Sequence, residues 1–152
     1  MNIRKLTTGA IIAAVYAAVS FILAPISFGA LQCRISEALT LLPLIMPEAI
    51  PGLFVGCLIS NLLSGAVWYD VVFGSLATLL AAFLTHKSKN VWLGAAYPVI
   101  VNAVIVGGYL SFFYNLPVLL TMLSVGAGQA IACYALGVPL VIIIKKHFET
   151  VK

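Results

Sequence analysis

Residues 31 to 43, LQCRISEALTLLP, set Arg34 and Glu37 three positions apart between long apolar runs. Ionisable groups in membrane segments are rare and mostly face a protein interior or a watery cavity, so each is a functional candidate by default. How this pair is accommodated decides what bundle its neighbours can form. Upstream, an uncharged run extends from Leu6 to Cys33, longer than the apolar core of a secretory leader, and is read as a retained first span. Downstream, Ser36–Met46 is bounded by Pro43 and Pro47. As an α-helix this segment would cover only about 16 Å, too little to cross a bilayer alone.

Composition supports a membrane reading. Of 152 residues, 63% are hydrophobic and 8% charged, and the mean hydropathy is +1.18, far above what a soluble core requires. No linker, acidic tail or low-complexity block divides the chain, so residues 1–152 are expected to form one transmembrane domain. The net charge of +4 comes from basic residues grouped at the edges of apolar runs rather than in a stripe, which argues for topology signals and against nucleic acid. Cys33, Cys57 and Cys133 are widely spaced and outside any C-x-x-C pattern, so neither a disulfide framework nor a metal site is indicated.

Charge-free runs cover Leu6–Cys33, Ala49–Tyr69, Val71–Thr85 and Asn90–Ile144, and each crossing needs about 20 helical residues. The last run holds two crossings, with its break at Tyr114-Asn115-Leu116-Pro117. Placing Arg4/Lys5, Lys87/Lys89 and Lys145/Lys146 in the cytoplasm requires an even number of crossings in each interval. With the short Ser36–Met46 element counted as an abbreviated span, the expectation is an all-α protein of six transmembrane helices with both termini cytoplasmic. Arg34, Asp70 and Asn115 then fall near the outer surface, with Glu37 one turn deeper and Glu48 on the inner side.

The polar residues left over admit two readings each. Arg34 and Glu37 share a helical face at i,i+3, as a structural ion pair or as ligand contacts. Asp70 follows Trp68 and Tyr69, as a helix-start acid or as a ligand group. Asn61, Asn102 and Gln129 lie in separate spans, where such amides bond between helices or converge on one cavity. Trp68, Tyr69, Tyr109, Phe112, Phe113 and Tyr114 collect at the same end, as an interfacial belt or as a stacking surface for a flat ligand. Carboxylates, amides and aromatics together favour an outward-opening solute site.

Ala10, Ala14 and Ala18 recur at i,i+4, a ridge on which another helix can approach closely, whether within the chain or from a partner. Ser124, Gly126 and Gly128 form a similar patch in the last span. No G-x-x-x-x-G-K-[ST], H-E-x-x-H or G-x-S-x-G motif occurs, so self-contained ATP hydrolysis or enzyme chemistry is not indicated.

The segments RISEALTLLP (34–43), WYDVVFGSLATLLAA (68–82) and GQAIACYALGVPL (128–140), together with the spans and the ridge, resemble the QueT family of queuosine-precursor transporters along nearly the whole chain. That resemblance implies the substrate-binding S component of an energy-coupling-factor (ECF) transporter in the bacterial plasma membrane. Its implied partners are a transmembrane T component, docked on Ala10, Ala14 and Ala18, and two cytoplasmic ATPases that hydrolyse ATP, leaving this subunit without a cofactor. The implied ligand is a 7-deazaguanine such as 7-aminomethyl-7-deazaguanine, taken up for tRNA queuosine synthesis. A carboxylate suits the guanine-like amide and amino edge, and a second suits the aminomethyl cation. The substrate-binding set is thus Glu37, Asp70, Asn102 and Gln129, with Arg34 orienting Glu37 or closing the outer loop, and Trp68 and Tyr109 as aromatic neighbours. Two alternatives stand beside it: an S component for another vitamin or base, and a stand-alone proton-coupled carrier.

Overall fold

The computed structural model describes residues 3–23 and 34–150. Cys33 and the end of the expected first span therefore lie outside the described residues. Within them the chain is all helical, without strands. Helix α1 is Ile3–Ile22, α2 is Ile35–Leu44, and α3 is Ala49–Leu63. Helix α4 opens with a π-helical turn, Asp70–Gly74, and continues over Ser75–Lys87. Helix α5 is Val91–Tyr114, and α6 runs through Val118–Ala130, a π-helical stretch Ile131–Gly137, and Val138–Thr150.

Three of these rods, Ile3–Ile22, Val91–Tyr114 and Val118–His147, are long and apolar enough to cross a membrane, and α2 and α3 are shorter apolar helices. Large apolar side chains cover the outside of the bundle, among them Phe21, Leu62, Phe112, Leu119 and Ile143. A water-facing surface does not carry so much contiguous apolar area. The helices satisfy their own backbone groups, as lipid requires.

Local chemistry explains several boundaries. Asn90 caps α5 by accepting a hydrogen bond from the Trp92 amide at 2.9 Å. The same helix stops at Tyr114, where Asn115 takes a left-handed conformation at φ 52°, and Pro117 precedes the first turn of α6. The break thus falls on the Tyr114-Asn115-Leu116-Pro117 segment.

Helix α2 departs most from expectation. Its ten residues wind as a 3-10 helix, which at about 2.0 Å per residue covers about 20 Å rather than the shorter reach of an α-helix. Such runs seldom exceed a single turn or so, because their hydrogen bonds are poorly aligned, so the surroundings must hold this one. Ser36, Glu37, Ala38, Thr40, Leu41, Leu42 and Pro43 are all buried. The π-helical part of α6 comes down onto its backbone: a methyl group on Gly137 would lie 2.9 Å from the Ala38 carbonyl oxygen. At the far end His86 Nδ1 lies 2.7 Å from the Pro43 carbonyl oxygen.

Small residues set the outer crossings. A Cβ on Gly52 would lie 2.5 Å from the Gly9 carbonyl oxygen, and one on Gly56 would lie 2.8 Å from that of Ala13, so α1 and α3 run parallel in backbone contact. Gly107 brings α5 equally close to Met122 of α6, and Gly126 approaches Ala103 in the same antiparallel pair. The alanine ridge divides by face. Ala13 and Ala17 are buried, whereas Ala10, Ala14 and Ala18 are exposed. Beside them, α1 and α3 border an open groove of about 500 Å³ whose walls include Ala10, Ala13, Gly52 and Val55, with Lys5 and Glu48 at one end.

Candidate solute-binding site

Residues placed far apart in sequence by the helix order meet near the start of α2. Arg34, Glu37, Asn102, Val106, Val125 and Gln129 enclose a small hollow of about 10 Å³, room for roughly one water molecule. All four polar members are buried, Glu37 to 1% exposure and Gln129 to 3%. Glu37 Oε2, Asn102 Nδ2 and Gln129 Nε2 have no hydrogen-bond partner among the described residues. An unsatisfied buried polar atom costs about 1–3 kcal/mol, so three around one hollow are an expensive arrangement that a bound polar molecule would relieve.

The other carboxylate oxygen of Glu37 is fully engaged. Tyr16 of α1 donates its phenolic hydrogen to Oε1, and the Thr78 hydroxyl of α4 lies 3.2 Å from the same atom and 3.1 Å from the Gly74 carbonyl oxygen. Thr40 Oγ1 donates to the Glu37 carbonyl oxygen at 2.5 Å. One turn away on α1, Ser20 donates to Ser36 at 2.6 Å. The glutamate is therefore held from three sides and open on one.

Arg34 takes a different course from the one its spacing suggests. It precedes α2 with extended backbone, φ −80° and ψ 94°, so it does not share a helical face with Glu37. Its guanidinium reaches α3, where Nη2 donates to Asn61 Oδ1 at 2.9 Å and Nη1 approaches Cys57 Sγ at 3.7 Å. Asn61 in turn donates to the Asp70 carbonyl oxygen at 3.0 Å. A polar chain thus runs from the hollow through Arg34 and Asn61 to the first turn of α4.

Asp70, Trp68 and Tyr109 are placed beside the hollow rather than in its wall. The Asp70 carboxylate accepts from Tyr109 at 2.5 Å instead of capping its own helix. Trp68 is 63% exposed and meets Tyr69 and Phe113 edge-on. Gly74 lies where these groups converge: a Cβ there would stand 3.4 Å from Asn61 Nδ2, 3.6 Å from the Tyr109 hydroxyl and 3.7 Å from Arg34 Nη1.

Tyr16 and Thr78 were not legible as site residues. A usable signal did exist for Tyr16, since a phenol in the middle of an apolar span needs a buried acceptor. Both π-helical segments also went unforeseen, although they begin at Asp70 and just past Gln129. Such segments often occur at functional sites, because the extra residue re-aims the side chains around it.

A multi-pass membrane bundle with a buried hollow of unsatisfied amide and carboxylate atoms defines a class, the membrane proteins that handle a small polar solute. The family model for the QueT transporter matches residues 6–146, and the chain belongs to that family. It is similar to a protein of Lactococcus lactis subsp. cremoris (strain MG1363) named queuosine precursor transporter QueT, at 39% identity over 77 residues. That alignment covers 49% of this chain and 45% of the relative, so the chain spans less than half the length of the curated relative it matches. No solved structure matches it.

Proposed function

We propose that this transporter is the substrate-binding S component of an ECF importer in the bacterial plasma membrane, capturing a 7-deazaguanine such as 7-aminomethyl-7-deazaguanine from outside. The observation that carries the reading is the hollow with Glu37 Oε2, Asn102 Nδ2 and Gln129 Nε2 on its wall, all buried and all without a partner among the described residues. A guanine-like edge presents N–H donors beside a carbonyl acceptor. Glu37 Oε2 accepts from one of the donors, and the two amides donate to the carbonyl or ring nitrogen. Arg34 holds the mouth of the hollow to α3 through Asn61, and Asp70 lies one polar contact further out, near an aminomethyl cation extending past Gly74. Trp68 and Tyr109 are aromatic neighbours at that end.

A hollow of about 10 Å³ is too small for a bicyclic base, so ligand entry requires the α5–α6 pair to part from α2. Topology follows the same reading: six spans, with α2 the abbreviated one and both termini cytoplasmic. The antiparallel contacts between successive helices support it, from Tyr16 and Ser20 on Glu37 and Ser36 through to Gly107 on Met122. The T component docks on the exposed Ala10, Ala14 and Ala18, and the ATPases supply the energy.

Calorimetric titration of the detergent-purified chain with 7-aminomethyl-7-deazaguanine, and mass spectrometry of molecules that co-purify with it, test the ligand. Binding should be saturable and weakened about tenfold or more by Glu37→Gln or Gln129→Leu. Unchanged binding in both variants would place the ligand elsewhere. Uptake that persists in cells lacking the ATPases would overturn the ECF assignment in favour of a self-driven carrier.

A further inference from the structure

We propose that Tyr16 is the positioning residue for ligand recognition, holding Glu37 so that a single carboxylate oxygen faces the solute. The inference rests on the ligand reading above and adds to it a residue from a different helix. Tyr16 is fully buried and does not line the hollow, so it acts on the ligand through Glu37. Its hydroxyl donates to Glu37 Oε1, whereas Thr78 Oγ1, 3.2 Å from the same atom, has a single hydrogen and also faces the Gly74 carbonyl oxygen at 3.1 Å and Cys57 Sγ at 3.4 Å. The phenolic hydrogen thus occupies Oε1, which leaves Oε2 as the carboxylate oxygen with no donor among the described residues and open to a solute.

Without the phenol the carboxylate could turn about its last torsion, a soft two-fold rotor, and offer Oε1, Oε2 or both. Tyr16 removes that freedom before the ligand arrives, and with it part of the ordering cost of binding. The rest of the contact is built to keep the angle fixed. Ser20, one turn along α1, bonds to Ser36, so two adjacent residues of α2 are pinned by two residues on one face of α1. Gly52 and Gly56 allow α1 to lie against α3 closely enough for the phenol to reach. The resulting acceptor is one-sided: of the guanine-like edge, Glu37 takes a donor on Oε2 alone instead of closing a two-pronged carboxylate clamp.

The test combines two measurements on the full chain in detergent. The first is titration with 7-aminomethyl-7-deazaguanine of the wild type, Tyr16→Phe, Glu37→Gln and the double variant. Tyr16→Phe should raise Kd about tenfold, while adding the same change to Glu37→Gln should raise it less than about twofold further, because the phenol acts only through the carboxylate. The second is infrared spectroscopy of protein carrying 13C-labelled glutamate, with the Glu37 band identified by its loss in Glu37→Gln. That band should shift in Tyr16→Phe whether or not ligand is present.

Equal fold-losses for Tyr16→Phe in both backgrounds, or an unmoved band, would reduce Tyr16 to a packing residue and overturn the proposal. A shifted band together with no ligand titration in the wild type overturns the deazaguanine reading while the Tyr16 contact stands. If Tyr16→Phe does not fold, protein made with ring-fluorinated tyrosine carries the test. Tyr16 is the phenol bonded to Glu37, and a more acidic phenol binds Oε1 more strongly, so the Glu37 band must move, and an unmoved band overturns the proposal.

Discussion

Tyr109 donates to Asp70 Oδ1 at 2.5 Å, a bond that joins the first turn of α4 to the later part of α5. Beside it Tyr69 and Phe113 lie almost parallel, with ring centroids 4.1 Å apart and planes 6° from each other. Trp68 meets both rings edge-on. One polar contact and one aromatic stack thus close the same pair of helices at the same end of the bundle. Parting α5 from α4 at this end would have to break both.

Tyr109→Phe should destabilise the protein by about 1.5–3 kcal/mol, since it strips a largely buried carboxylate of its hydroxyl donor. Thermal unfolding in detergent reads this directly. Combining it with Asp70→Asn should cost less than the sum of the two single changes, because both remove the same contact. Additive losses would mean that the pair is not an energetic unit.

The Asn61 side chain accepts from Arg34 at 2.9 Å and donates to the Asp70 carbonyl at 3.0 Å. Asn61→Leu keeps the branched shape and loses both, so a loss of about 2–4 kcal/mol is expected. Asn61→Asp keeps the acceptor for the guanidinium and should recover part of the melting temperature. Equal melting temperatures for the two variants would show that the Arg34 contact contributes nothing.

How much of this could be read beforehand depended on whether a residue's neighbour was close in sequence. The long apolar rods and the break at Asn115 were legible because hydropathy and turn chemistry act locally. Arg34 was not, because its side chain follows an extended backbone to Asn61 on α3, and helical spacing says nothing about that path. Glu37, Asn102 and Gln129 could be singled out as polar residues in apolar segments, since each needs a reason to be there. That they share one hollow while Asp70 lies beside it depends on the crossings at Gly52, Gly107 and Gly137, where backbones come within reach of each other. The 3-10 winding of α2 is likewise a product of its surroundings, as nothing in ISEALTLLPL favours that helix over an α-helix.

Two adjacent glycines of α5 should respond in opposite directions. A Cβ at Gly107 would lie 2.7 Å from the Met122 Cα, a backbone atom that cannot move without shifting α6. Gly107→Ala is therefore expected to cost about 1–3 kcal/mol. At Gly108 the nearest atom is the Met122 Cε at 3.7 Å, an ordinary contact with a flexible end. Gly108→Ala should be neutral or stabilise by up to about 1 kcal/mol, because alanine loses less backbone freedom in a helix. Unfolding midpoints of the two variants against wild type decide it, and a matched response would mean that the α5–α6 approach is looser than the glycine geometry requires.

The two faces of α1 offer a test that separates ligand capture from transport. Ala14 is exposed on the ridge, whereas Ala13 is 6% exposed and its backbone lies against Gly56. A bulky residue at position 14 has room in the isolated protein, so Ala14→Trp should leave the melting temperature unchanged and the Kd for the proposed deazaguanine ligand within about twofold of wild type. If the ridge is where the T component docks, the same indole holds the two proteins apart, since close approach of small residues is what gives such helix pairs their van der Waals contact. Uptake in cells that carry the whole importer should then fall tenfold or more. Ala13→Leu should behave in the reverse order, with folding damaged first through overpacking against α3. Undiminished uptake in Ala14→Trp would move the docking surface off this face of α1 without touching the assignment of the hollow.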